Sequence, residues 1–197
     1  MTSSRVIPLA LVAAAASLAT ALAACGSTTN TSAADTPSTT AAPASACPTA
    51  PPPDGTPAEW TLSGATGGVA VTGSTDTAAP LVTLTTPFAV TETQVQTLKA
   101  GDGPVVADTA TVTVCYMGVD GRDGSVFDSS YQRGAPVEFA LNRVVPGFQK
   151  AIAGQKVGST VAVAMTSADG YPNGEPRAGI QPGDTLVFAI KILAASG

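Results

Sequence analysis

Residues 125–139 read SVFDSSYQRGAPVEF, which sets one carboxylate (Asp128), two hydroxyls (Ser129, Ser130) and one guanidinium (Arg133) between apolar runs. Serines beside an acid suit acyl transfer only when a base activates the hydroxyl, and the 197-residue chain contains no histidine. Metal chemistry is no better served. Zinc sites take closely spaced Cys and His, whereas the three cysteines, Cys25, Cys47 and Cys115, lie far apart. No metal and no cofactor are expected.

The elements around it are short and alternating. PLVTLTT (80–86) and TQVQTLK (93–99) each alternate apolar with polar residues, as half-buried strands do. GDGP at 101–104 interrupts them with turn residues. TATVTVCYMG (109–118) puts Val112, Val114 and Tyr116 on one face, with Thr113, Cys115 and Met117 on the other. GVDGRDGS (118–125) reads as a hairpin tip, and PVEFAL (136–141) alternates again. TVAVAM (160–165) aligns Val161, Val163 and Met165, and TLVFAIKIL (185–193) aligns Leu186, Phe188, Ile190 and Ile192. Many short strands joined by turns predict an antiparallel sheet. VPGFQKAIAG (145–154) differs: Pro146 starts and Gly154 ends a helix, with Phe148 and Ile152 on one side. One short helix against a bent antiparallel sheet is an α+β arrangement, and so short a helix depends on packing for its stability.

Composition narrows the partners. Nine Lys and Arg stand against fourteen Asp and Glu, a net charge of −5. Nucleic acid is excluded as a main partner, because phosphate binding requires clustered positive charge. At the N-terminus, Arg5 precedes an uncharged apolar run that ends in Leu22-Ala23-Ala24-Cys25-Gly26. This resembles a bacterial lipobox, in which Cys25 carries diacylglycerol and becomes the first mature residue; an uncleaved membrane helix is the alternative. The lipobox implies a lipoprotein held by its acyl chains to the outer, extracytoplasmic face of a bacterial membrane. From Gly26 to about Glu59 the chain is Ser, Thr, Ala and Pro, with almost no large apolar residue, and is expected to be a disordered, extended tether. If Cys25 is lipidated, an even pair remains in an oxidising compartment, and a Cys47–Cys115 disulfide follows as a hypothesis.

Taken in order, VTVCYMG, GSVFDSSYQRGAPVEFALN, RVVPGFQKAIAGQKVGSTVAVAM, GYPNG and AGIQPGDTLVFAIKIL resemble the FKBP-type peptidyl-prolyl cis-trans isomerases over residues 89–193. The resemblance implies a bent antiparallel sheet wrapped around one short helix. With the lipobox and the composition, the chain divides into a signal peptide (1–24), a flexible tether (25–66), a pre-domain β segment (67–88) and the isomerase-like domain (89–197). The resemblance also explains the missing base. Rotation about an X-Pro amide breaks no bond; it must only overcome a resonance barrier of roughly 18–20 kcal/mol.

By the same resemblance Tyr116, Phe127, Phe139 and Phe188 are aromatic walls, and Val144 and Val145 an aliphatic pair. The Val145 N–H holds a substrate carbonyl, and Phe148 is the floor where most relatives carry tryptophan. Asp128 is the polar group at the rim, Tyr171 a phenolic donor, Ile180 a rim residue, and Arg133 the support for Asp128 and Tyr116. Asp128, Tyr171, Val145 and Phe148 are the expected catalytic set. Departures are Val137, where an aromatic is usual, and a loop over 167–184 without the common Ala-Tyr-Gly. The implied partners are X-Pro segments of exported proteins and macrolide immunosuppressant-type ligands. The alternative is a binding module of this family, with weak or no isomerase activity, recognising a proline-containing partner.

Overall fold

The computed structural model describes residues 46–197; the signal segment, Cys25 and the first part of the tether lie outside them. The nine strands are β1 (Trp60–Ser63), β2 (Thr66–Thr72), β3 (Leu81–Ala89), β4 (Gln94–Lys99), β5 (Thr111–Asp120), β6 (Val126–Ser129), β7 (Val137–Ala140), β8 (Thr160–Met165) and β9 (Leu186–Ser196). Two short helices, α1 (Ser130–Arg133) and α2 (Pro146–Ile152), complete the set. Among the described residues no helix is long and apolar enough to cross a membrane.

The larger sheet is antiparallel in the order β4-β8-β9-β5-β6, with β7 also paired to β5. Its inner face carries the alternating set read from the sequence. Val112, Val114, Val161, Val163, Met165, Leu186, Ile190 and Ile192 are fully buried with Ala151 and Ile152 of α2. Pro146 opens α2 at a position whose N–H needs no intrahelical partner, and Val145 is its N-cap. The helix lies close on β8 because residue 147 is glycine: a Cβ there would stand 2.7 Å from the Met165 sulfur.

The outer face is covered as well. Strands β1, β2 and β3 form a separate sheet, and its Val69, Val71 and Phe88 share a buried core with Ala162, Ala164, Val187 and Ala189 of β8 and β9. Strands apolar on both faces are those buried on both sides. The residues between Val161 and Met165 and between Leu186 and Ile190 meet that requirement. Small alanines here let the second sheet approach.

The expectation of a flexible tether through residue 66 is corrected at its distal end. Trp60 and Leu62 on β1 pack against this outer core, Glu59 Oε2 accepts from the Gly73 N–H at 2.7 Å, and Cys47 is 2% exposed. Local composition cannot register stabilisation that comes from another sheet. A disulfide joins Cys47 to Cys115 on β5, and the Cys47 N–H donates to the Gly134 carbonyl.

Candidate active site

Strands β6 and β7 run along the same edge of β5, and the residues between them loop away from it. The gap is filled by Ser130, wholly buried, whose hydroxyl accepts from the Tyr116 N–H at 2.8 Å. Ser129 caps α1 through its hydroxyl, which accepts from the Gln132 N–H, and Gly134 closes the turn in the left-handed region at φ 69°. That conformation costs glycine nothing and other residues something, so the turn ends there. The excursion brings Arg133 back to Asp128 of β6, on the same side of Tyr116.

These three side chains form a closed set. The Tyr116 hydroxyl donates to Asp128 Oδ2, Arg133 Nη1 donates to Asp128 Oδ1, and Arg133 Nη2 donates to the Tyr116 oxygen at 3.2 Å. The guanidinium carbon lies 5.9 Å from the Tyr116 ring centroid. Partial burial opposes ionisation of Asp128, but the hydrogen bonds from Tyr116 and Arg133 and the arginine's charge outweigh it and hold the carboxyl below its usual range. Burial, reinforced by the Asp128 hydrogen bond, pushes Tyr116 up to about 12. The cluster is a fixed carboxylate dipole and not a proton donor.

Beside it lies an apolar hollow of about 340 Å³. Phe148 of α2 is its hub, with ring centroids 5.9 Å from Tyr116, 5.6 Å from Phe139 and 5.4 Å from Phe188, each edge-on. Phe127 stands edge-on to Phe188 at 5.5 Å. Edge-to-face rings at these separations add to the stabilisation from buried area. The wall depends on a missing side chain: a Cβ at Gly118 would fall 2.5 Å from the Phe127 ring and 2.8 Å from Phe188. Asp128, Val144, Val145 and Tyr171 also line the hollow. Burial, then the charges of Glu175 and Asp128, raises the Tyr171 phenol. Among the described residues the Val145 N–H has no hydrogen-bond partner, so it is free to donate to a bound carbonyl.

Two residues depart from the sequence reading. Ile180, expected at the rim, is only 3% exposed and packs in the inner core instead of lining the hollow. Reciprocal backbone bonds with Glu175, around a 3₁₀ turn at Pro176–Ala178, tuck it inward. Arg143, which the sequence reading passed over, lines the hollow directly before the two valines. Its only signal was position. Val137 packs against the inner core and is not among the residues lining the hollow. The 167–184 loop is fastened by Arg122, which donates to the Gly179 carbonyl at 3.1 Å and pairs with Asp184 at 3.3 Å.

Residues 103–193 match the family model described as FKBP-type peptidyl-prolyl cis-trans isomerase. The chain is 37% identical over 99 residues to the FK506-binding protein of Streptomyces anulatus, covering 48% of this chain and 78% of that one. It is 38% identical over 100 residues to the FKBP-type 22 kDa peptidyl-prolyl cis-trans isomerase of Escherichia coli K12, covering 51% of this chain and 48% of the relative. The N-terminal domain of FKBP42 from Arabidopsis thaliana superposes with a TM-score of 0.51 at 17% identity, over 54% of this chain and 88% of that domain, a likeness of fold. The chain belongs to the family of FKBP-type peptidyl-prolyl cis-trans isomerases.

Proposed function

We propose that this protein turns X-Pro bonds of exported proteins at the extracytoplasmic face of a bacterial membrane, tethered by lipid on Cys25. The observation that supports the reaction most is that Tyr116, Phe127, Phe139, Phe148 and Phe188 line one hollow, in a chain with no histidine. A proline ring fits on Phe148, flanked by Val144 and the aromatic walls. The Val145 N–H donates to a substrate carbonyl, and the Tyr171 hydroxyl offers a second donor above it. Twisting the amide removes its dipolar resonance form, so the twisted state is less polar than either planar isomer. An apolar cavity therefore favours the twisted state over the planar one, which is the condition for catalysis. Asp128, held by Tyr116 and Arg133, is a fixed dipole at the rim, with Arg133 as support.

The hollow is also where a macrolide immunosuppressant-type inhibitor would sit. Refolding of a protein whose slow phase is prolyl isomerisation tests the reading. Catalytic amounts of this protein should shorten that phase, and FK506 should abolish the effect. No acceleration even at stoichiometric amounts would leave a binding module in its place.

A further inference from the structure

The charges around the hollow do not balance equally on all sides. Asp128 has both carboxylate oxygens occupied, one by Tyr116 and one by Arg133, so that pair presents little net charge to a substrate. Glu175 does not line the hollow; its charge is felt at Tyr171, and its carboxylate accepts from the Arg177 backbone N–H. Arg143 is exposed and lines the hollow, and no hydrogen bond or ion pair engages its guanidinium among the described residues. Arg143 ends the 3₁₀ turn at Leu141–Arg143, and extended Val144 (φ −94°, ψ 168°) connects it to Val145. The cation therefore stands within two residues of the N–H that receives the substrate carbonyl, while the rest of the lining is aromatic, aliphatic or already paired.

We propose that Arg143 is a specificity-determining residue that reads the side chain next to the proline, favouring X-Pro segments with an adjacent acidic residue over those with a basic one. The inference rests on the hollow being the proline site. It runs against the protein's overall charge of −5, which by itself would favour basic partners. A local cation at the mouth acts at short range, where screening is weakest, and the distant acids do not.

The test is kcat/KM for short peptides with Glu, Gln or Lys placed immediately before or immediately after the proline, at low and at high salt. Wild type should turn over the Glu peptide about three- to fivefold faster than the Lys peptide at one of the two positions, an ordinary yield for an exposed ion pair. Salt at about 1 M, where the screening length is about 3 Å, should erase most of the difference. Arg143→Gln should lose the preference and Arg143→Lys should keep it. A Glu-to-Lys ratio that is the same in wild type and Arg143→Gln overturns the proposal. If no peptide turns over, the isomerase reading fails separately. The same peptides titrated by amide chemical shift then decide the arginine's role, through whether Glu binds more tightly than Lys and whether Arg143→Gln removes the difference.

Discussion

Asp128 bears on the chemistry through what its carboxyl cannot do. Its pKa is depressed, while those of Tyr116 and Tyr171 are raised. A carboxyl with a depressed folded pKa stabilises the fold above its unfolded pKa and loses that contribution as pH falls through the folded value. A phenol with a raised folded pKa stabilises it below its unfolded pKa and loses that contribution as pH rises towards about 12. Neither window reaches neutrality. Turnover on an uncharged peptide should therefore be flat from roughly pH 5 to pH 9, bounded by the ordinary pKa values of carboxyls and phenols; a bell-shaped profile within that range would place a proton transfer in the rate-limiting step. Gly118→Ala makes a second expectation at this scale. Its methyl meets Phe127 and Phe188 at less than contact distance, so kcat/KM should fall well over tenfold, with an overpacking cost of about 1–3 kcal/mol in denaturant unfolding.

At the scale of elements, the site depends on where α2 lies on β8 and on how β6 leaves β5. Gly147→Ala would push the helix off Met165 and carry Phe148 with it, so a loss of about 1–3 kcal/mol should come with a matching loss of turnover. Phe148→Ala should cost about 3–5 kcal/mol, because it removes three edge-to-face partners at once. Much of this was legible in the sequence. The period-2 alternation fixed the faces of β5, β8 and β9, and Pro146 and Gly154 bracketed α2. Phe127, Phe139, Phe148 and Phe188 converge because each faces inward from its own element. Ile180 was not legible, since its direction is set by the Glu175 turn and not by periodicity. Arg143 was passed over because an exposed arginine beside apolar residues has no pattern of its own.

Across the whole molecule, the second sheet extends the β segment expected over 67–88: β2 and β3 fall there, and β1 is the strand that was not expected. That strand sits in a Pro- and Thr-rich region whose composition argued against order, and only Trp60 and Leu62 mark it out. The cue lay elsewhere, in the alternate small residues Ala162, Ala164 and Ala189, which a solvent-facing sheet would have made polar. Removing residues up to 89 should expose that surface, lower the melting temperature and increase binding of a hydrophobic dye; a truncated protein as stable and dye-silent as the full chain would show the second sheet to be passive. The Cys47–Cys115 link closes 68 residues of chain. In the chain-entropy account its loss should cost about 4 kcal/mol. Chemical unfolding of the oxidised protein against a Cys47→Ser, Cys115→Ser double variant measures that difference, and thiol titration of the oxidised protein should find neither cysteine free.

The claim that an apolar hollow speeds bond rotation without proton transfer is tested most directly by NMR exchange between the cis and trans forms of a short X-Pro peptide, in H₂O and in D₂O. Trace amounts of the protein should accelerate exchange many-fold and by nearly the same factor in both solvents. No acceleration, or a rate slower in D₂O by about twofold or more as general acid–base catalysis would give, contradicts it.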